Sequence, residues 1–224
     1  MCGIVGYIGS KQAAPIILDG LSKLEYRGYD SAGMAIFDGQ HIRMRKAVGR
    51  LKVLENLTHG GETMEGYMGI GHTRWATHGA PSDTNSHPHM NMAETIAVVH
   101  NGIIENYIPL KKKMMSKGYT FVSETDTEVL AHMLDYYYKG NPLEAITKVL
   151  HRVEGSYALG MLFADHPDAI YAVRKDSPLI VGVSSDGCFI ASDVPAILKY
   201  TRTVYYVDNQ EVVKLGREGM QFYS

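Results

Sequence analysis

The sequence predicts an α+β fold in which antiparallel sheets pack against each other and against helices. Strand-like and helix-like segments come in blocks, whereas parallel sheets typically show strict strand–helix alternation. The chain has 224 residues, of which 45% are hydrophobic, and this is enough for a full core. We find no low-complexity linker and no repeat of about 20–50 residues, so we expect one domain over residues 1–224.

The first half of the chain begins with a short apolar strand at residues 4–8. Pro15 suits the first turn of the helix that follows. Asp38-Gly39 is a strong hairpin signal, and the continuous apolar run within residues 95–100 is typical of a strand buried on both faces. The other predicted features are a helix stripe at Ile17, Leu18, Leu21 and Leu24, hairpin strands at 33–37 and 41–45, a strand at 67–72 and a polar loop at 76–94.

The second half begins with helices and continues with strands. Thr125 or Asp126 can cap the first helix, and Gly140-Asn141-Pro142 separates it from the second. The strands that follow are predicted at 156–164, 169–174, 179–184, 187–192, 204–208 and 211–215, with a brief helix at 194–200.

Composition and charge exclude several classes of protein. The formal net charge of −2 argues against nucleic acid as a partner, and we read Lys111-Lys112-Lys113 as a solvated helix face. No apolar run approaches the roughly 18 residues of a membrane span, and the amino terminus does not resemble a signal peptide. The two cysteines, Cys2 and Cys188, cannot form a disulfide framework, so we expect a reducing, cytoplasmic location.

The sequence motifs predict neither a cofactor nor a metal. Gly69-Ile70-Gly71 lacks the third glycine of a dinucleotide fingerprint, and no phosphate-loop pattern occurs. A metal hydrolase is one alternative, because several histidines lie near one another in the sequence, but the ligand helix and acidic partner of such a site are missing. These histidines are His72, His78, His87, His89 and His100.

Cys2 is a candidate nucleophile because of its position. Once Met1 is removed, Cys2 carries a thiol with a pKa of about 8.5 and a free α-amino group with a pKa of about 8. The amine can therefore accept the thiol proton near neutral pH, and one residue supplies both nucleophile and base. If Met1 is retained, its peptide bond ties up this amine, and we expect an inactive protein. Cys188 is predicted to be an ordinary strand residue.

Other segments offer polar and charged groups that could bind a substrate beside Cys2. Arg74 follows a predicted strand, and Asp126 lies in an acidic helix start. His100-Asn101-Gly102 follows the most apolar strand, where a side-chain amide and a glycine N–H can bind an oxyanion. Together these groups match a free α-amino acid that bears a reactive acyl group.

Three segments match known motifs, namely Met1-Cys2-Gly3-Ile4-Val5-Gly6, His100-Asn101-Gly102 and Thr125-Asp126-Thr127-Glu128. Together they resemble the class II glutamine amidotransferases, a family of amino-terminal-nucleophile hydrolases. Residues 25–31 and 72–79 are similar to the glucosamine-6-phosphate synthase branch of that family. The phosphoribosyl-pyrophosphate amidotransferases usually carry Tyr-Ser-Thr where this chain has Trp75-Ala76-Thr77, and asparagine synthetases diverge further.

The resemblance implies a four-layer αββα sandwich and a glutaminase that works through a Cys2 thioester. It also implies site roles residue by residue. Asn101 and the Gly102 N–H form the oxyanion hole, Arg74 binds the glutamine carboxylate and Asp126 pairs with the ammonium. The further positions are Thr77 and His78 in the same pocket, Arg27 beside the amino terminus and Trp75 in a loop that closes over the site.

The resemblance further implies that ammonia serves the conversion of fructose 6-phosphate to glucosamine 6-phosphate. This step needs a sugar-isomerase domain that is missing from the sequence, and the full-length family is expected to form homo-oligomers. The alternatives are the glutaminase domain of a phosphoribosyl-pyrophosphate amidotransferase or asparagine synthetase, and a non-catalytic regulatory domain that keeps the fold.

Overall fold

Two antiparallel sheets lie face to face in the computed structural model, which describes residues 2–27, 30–76 and 79–224. The helices are α1 (Ala13–Ser22), α2 (Leu51–Leu57), α3 (Tyr107–Ser116), α4 (Glu128–Tyr137) and α5 (Pro142–Leu150). The first strands are β1 (Gly3–Gly9), β2 (Ser31–Phe37), β3 (Ile42–Val48), β4 (Met68–Arg74), β5 (His89–Met90) and β6 (Ile96–Ile104). The later strands are β7 (Gly155–Phe163), β8 (Ile170–Lys175), β9 (Ile180–Ser184), β10 (Gly187–Ala191), β11 (Thr203–Tyr206), β12 (Val212–Leu215) and β13 (Met220–Tyr223).

The strands divide between a seven-stranded and a six-stranded sheet. The first has the order β11-β9-β10-β1-β4-β2-β3 and the second the order β13-β12-β8-β7-β6-β5. The hairpin around Asp38-Gly39 joins β2 to β3 as predicted, and Gly39 takes the positive φ of 103° that this turn requires.

Three apolar clusters arrange the elements in four layers. Ile4, Ile8 and Ile70 of the seven-stranded sheet pack against Val99 and Leu162 of the six-stranded sheet. A second cluster covers the outer face of the seven-stranded sheet with α1 and α2, and a third covers the outer face of the other sheet with α3, α4 and α5. The predicted α+β fold and its αββα layering are therefore confirmed.

β1 is buried on both faces, which explains its continuous apolar sequence. Val5 and Tyr7 face the helix layer, whereas Ile4 and Ile8 face the second sheet. The strand lies between β10 and β4 and pairs with both. The chain immediately after Cys2 is therefore held in the middle of a sheet.

The predicted cap of α4 was wrong. The helix begins at Glu128, and the preceding Thr127 makes no side-chain cap. Thr125 Oγ1 instead lies 2.9 Å from His89 Nε2, and Asp126 Oδ2 accepts the Ile104 N–H at 2.8 Å. Thr127, and neither Thr125 nor Asp126, occupies the N-cap position of this helix.

The structure differs from the sequence prediction at a few short elements whose sequence patterns are weak. The sequence did not predict α2 or the edge strand β13. The helix expected at 194–200 is a short 3₁₀ turn, Val194–Ala196, and a second turn in which Tyr200 and Thr201 both bond the Ile197 carbonyl. Among the helices that the structure describes, none has the length and apolar character to cross a membrane.

Candidate active site

Cys2 lies at one end of the seven-stranded sheet, where it opens into a cavity of about 320 Å³. Because Gly3 pairs with Thr73, the end of β4 and the residues after it lie beside Cys2. The cavity is lined by Cys2, Arg74, Trp75, His87, His100, Asn101, Gly102, Ile103, Asp126, Thr127, Ser156, Ser177 and Pro178. Both sheets therefore contribute to one site.

The Cys2 thiol is partly buried and contacts the backbone of Trp75. The Trp75 N–H donates to Sγ at 3.2 Å, and Sγ lies 3.6 Å from the Trp75 carbonyl oxygen. Burial raises the pKa of the Cys2 thiol, and the Trp75 N–H opposes this rise. Because a raised pKa keeps the sulfur protonated near neutral pH, a reaction at Cys2 needs a base.

Asn101 and Gly102 reach Cys2 from β6 of the other sheet. Asn101 Nδ2 donates to the Cys2 carbonyl oxygen at 3.1 Å, which places the amide beside the nucleophile. Gly102 has a φ of 121°, and a Cβ there would lie 2.3 Å from the Ser156 carbonyl oxygen. Only glycine fits this position, and both residues line the cavity.

A group of buried histidines packs behind Asn101. His72 Nε2 lies 3.0 Å from Asn101 Oδ1 and 2.9 Å from the His100 carbonyl oxygen. The ring of His87 stacks on that of His72 with centroids 4.1 Å apart, and His89 meets His87 edge-on. Burial lowers the pKa of His72 to about 3 and the pKa values of His87 and His89 well below their usual value.

Arg74 and Asp126 give the cavity one buried charge of each sign. The Arg74 guanidinium donates to the Gly79 carbonyl at 2.9 Å and to the Ala80 carbonyl at 3.4 Å. Asp126 is held through the Ile104 N–H and is almost fully buried. A cation and an anion lining the same cavity suit a ligand that carries both a carboxylate and an ammonium group.

The remaining predicted residues lie at the edge of the site or outside the described chain. Trp75 is 48% exposed and lines the cavity directly after β4. Thr77, His78 and the Arg27 side chain lie outside the described residues. The structure thus brings together Cys2, Arg74, Trp75, Asn101, Gly102 and Asp126.

Three residues that line the cavity were not predicted from the sequence. Ser156 pairs with Ile103 in the β6–β7 ladder, so the register of this strand pair places it in the cavity. Ser177 and Pro178 come from a distant connection, and no local signal marks them.

The histidines do not form a metal site with the other described residues. Across residues 2–27, 30–76 and 79–224, no three His, Cys, Asp or Glu side chains are arranged to hold a metal ion. His72 and His87 instead stack ring on ring. The expectation that the protein uses neither metal nor cofactor stays a prediction.

The chain is similar to known proteins over almost its whole length. Residues 72–199 match the family model of the glutamine amidotransferase domain. A glutamine–fructose-6-phosphate aminotransferase (isomerizing) of Caldanaerobacter subterraneus subsp. tengcongensis is 62% identical over 99% of this chain and 36% of its own length. The corresponding enzyme of Clostridium tetani is 60% identical over 100% of this chain and 37% of its own length. The chain therefore spans little more than a third of these relatives.

Solved structures share the fold. A glutamine phosphoribosylpyrophosphate amidotransferase of B. subtilis, complexed with ADP and GMP, matches with a TM-score of 0.87 and 26% identity. The match covers 99% of this chain and 49% of that one. A glutamine aminotransferase class-II domain protein of Silicibacter pomeroyi matches 100% of this chain and 99% of its own with a TM-score of 0.69. At 17% identity, this second match concerns the fold alone.

Proposed function

The chain belongs to the class II glutamine amidotransferase family, and from this premise we propose that it hydrolyses the glutamine side-chain amide to glutamate and ammonia. One observation carries the proposal. The Cys2 sulfur, the Asn101 amide and the charges of Arg74 and Asp126 line the same cavity of about 320 Å³. These groups complement the reacting amide, the carboxylate and the ammonium of glutamine.

The first half of the reaction acylates Cys2. The α-amine of Cys2, free once Met1 is removed, accepts the thiol proton, and the sulfur attacks the amide carbon. The electron pair of the C=O bond moves to oxygen, where the Asn101 Nδ2–H and the Gly102 N–H stabilise the negative charge. The amide nitrogen then takes the proton from the α-ammonium, the C–N bond breaks, and ammonia leaves a γ-glutamyl thioester.

The second half releases glutamate. The α-amine takes a proton from water, and the oxygen of that water attacks the thioester carbon through a second tetrahedral intermediate. When this intermediate collapses, the C=O bond re-forms, the C–S bond breaks and the Cys2 sulfur takes the proton from the α-ammonium.

The other groups bind and orient glutamine. Arg74 presents a planar guanidinium to the carboxylate, and Asp126 presents a carboxylate to the ammonium. Further roles rest on the family resemblance. Thr77 and His78 complete the carboxylate pocket, Arg27 orders the amino terminus, and the segment that carries Trp75 closes over bound glutamine.

We further propose that residues 1–224 form the glutaminase domain of an enzyme that passes ammonia to fructose 6-phosphate and makes glucosamine 6-phosphate. The relatives at 60–62% identity support this acceptor, because they carry the corresponding name. The identity to the phosphoribosylpyrophosphate amidotransferase is only 26%, so phosphoribosyl pyrophosphate is the less favoured acceptor. The partner is then a sugar-isomerase domain, and the full-length enzyme is a homo-oligomer.

The free thiols of Cys2 and Cys188 fit a reducing compartment, and we propose a cytoplasmic location.

The test compares the wild type with Cys2→Ala and with Cys188→Ala as a matched control. Cys188 is buried in β10, away from the cavity. Intact mass first establishes that Met1 is absent. An electrophilic glutamine analogue should then add one equivalent to the wild type and Cys188→Ala, and both should release ammonia from glutamine. Labelling of Cys2→Ala, or a processed wild type without glutaminase activity, would contradict the proposal.

A further inference from the structure

We propose that His72 is a positioning residue that holds the Asn101 side chain with its NH₂ group toward the reacting oxygen. This inference deepens the proposed function and rests on it. His72 lies in β4 of the seven-stranded sheet, and Asn101 lies in β6 of the other, so the contact joins the two halves of the site.

The position of the ring proton follows from the hydrogen-bond partners of His72. Nε2 lies 2.9 Å from the His100 carbonyl oxygen, and a carbonyl can only accept a hydrogen bond. Nε2 therefore carries hydrogen. The ring is fully buried, and burial lowers the pKa of His72 to about 3, so the ring is neutral at pH 7 and Nδ1 has no proton. Among the described residues, Nδ1 has no hydrogen-bond partner.

This Nε2–H group selects one of the two orientations of the Asn101 amide. In the observed orientation, Oδ1 lies 3.0 Å from His72 Nε2, and Nδ2 donates to the Cys2 carbonyl at 3.1 Å. Turning the amide by 180° would set its NH₂ against the Nε2–H and its oxygen against the Cys2 carbonyl. Both contacts become repulsive, so His72 and the Cys2 backbone together fix the amide.

The fixed orientation of the Asn101 amide leaves one N–H donor for the oxyanion. The Nδ2 group carries two hydrogens, and one of them binds the Cys2 carbonyl. The other hydrogen remains for the oxygen of the tetrahedral intermediate in the cavity that Asn101 lines. A preset donor contributes more to catalysis than one that must first turn, because no reorganisation is needed during the reaction.

The His72 ring is itself held tightly. It stacks on His87 with an interplanar angle of 11°. The His87 carbonyl oxygen in turn lies against Gly33, where a Cβ would come within 2.1 Å of it. The ring therefore has little freedom to turn its Nε2–H away from Asn101.

The kinetic experiment uses His72→Phe, which removes the donor, and His72→Gln, whose amide nitrogen can replace Nε2–H. We expect His72→Phe to lower kcat for glutamine about 10- to 100-fold with KM nearly unchanged, and His72→Gln to recover most of the loss. Combined with Asn101→Ala, His72→Phe should lower kcat less than about 3-fold further, because both changes remove the same interaction.

A second readout separates positioning from general support of the fold. Alkylation of Cys2 by iodoacetamide forms no oxyanion, so we expect His72→Phe to keep the wild-type alkylation rate. An equal fall in alkylation, an unchanged kcat, or fully multiplicative losses in the double variant would each overturn the inference. Failure of the proposed function can be told apart from failure of this inference. If the proposed function is wrong, the wild type without Met1 releases no ammonia, whatever the His72 variants do.

A third measurement needs no variant and stays decisive if His72→Phe does not fold. The ¹⁵N shifts of the His72 ring in the wild type report which nitrogen carries the proton. We expect a neutral ring protonated at Nε2 at pH 7. A ring protonated at Nδ1, or at both nitrogens, would overturn the inference.

Discussion

Acidification from pH 7 to pH 5 should destabilise the protein strongly, because three buried histidines cannot take up protons while the chain is folded. Burial is the main cause that lowers the pKa values of His72, His87 and His89. Each ring is neutral in the folded protein, whereas in the unfolded chain it binds a proton below a pH of about 6.5. Unfolding therefore takes up protons, and the free energy of unfolding falls as the pH falls.

The size of the effect follows from proton linkage. Each proton bound only by the unfolded chain lowers the free energy of unfolding by about 1.36 kcal/mol per pH unit. Integrated from pH 7 to pH 5 with an unfolded pKa of about 6.5, this gives about 2 kcal/mol for each ring that stays neutral when folded. Three rings give at most about 6 kcal/mol, which compares with the total stability of about 5–15 kcal/mol of a typical domain.

Glu25 and Glu128 contribute little to the pH dependence of stability between pH 7 and pH 5. Burial opposes ionisation of Glu25 and Glu128, but the donors around each carboxylate outweigh it and lower both pKa values. Because the pKa values of these two carboxyl groups are lowered in the folded protein, the stability that they contribute is lost mainly below pH 5. These two carboxylates therefore contribute little to the loss expected between pH 7 and pH 5, which we attribute to the histidines.

The assay is urea denaturation at pH 7, 6 and 5, followed by far-ultraviolet circular dichroism. His89→Gln should reduce the pH-dependent loss by about 2 kcal/mol, because it removes one of the three rings. His151→Gln is the matched control. His151 is exposed, so this variant should show the same pH-dependent loss of stability as the wild type. A stability that does not vary between pH 7 and pH 5, or an undiminished loss in His89→Gln, would refute the reasoning.

Three substitutions test other contacts. Asn101→Ala should lower kcat for glutamine about 10²- to 10³-fold with little change in KM, because one oxyanion donor is lost; a normal steady-state kcat would contradict this role. Arg74→Ala should raise the KM for glutamine about 30-fold or more, because a charged hydrogen bond contributes about 2–3 kcal/mol; an unchanged KM would count against carboxylate binding. Glu128→Gln should lower the free energy of unfolding by about 2–3 kcal/mol, because its carboxylate accepts hydrogen bonds from Val122, Ser123 and His132. Urea denaturation measures this loss, and a wild-type stability would show that the network is dispensable.

The features predicted well from the sequence are those with a local cause. Gly140-Asn141-Pro142 separates α4 from α5 as predicted, and Asn141 accepts the Leu143 N–H at 3.0 Å at the start of α5. The continuous apolar runs of β1 and β6 correspond to strands buried on both faces. Cys2 and Asn101 could be selected as candidates because their chemistry depends on residue type and on neighbours in the chain.

The features that were missed depend on contacts between distant segments. Helix α2 has only seven residues, and the Glu25 carboxylate, 26 positions earlier, accepts the Leu51 N–H at its start. The β13 strand is mostly exposed and shows no alternating pattern. Likewise, the contact between His72 and Asn101 exists only after the two sheets have packed, so no local pattern could predict it.

The division of the site between two sheets has a consequence for folding. Arg74 and the residue after Cys2 belong to one sheet, whereas Asn101 and Ser156 belong to the other. An intermediate that has formed either sheet alone contains only half of the cavity. We therefore expect the proposed glutaminase activity to return during refolding only when the two sheets dock. Regain of activity is thus a kinetic marker for the docking step itself.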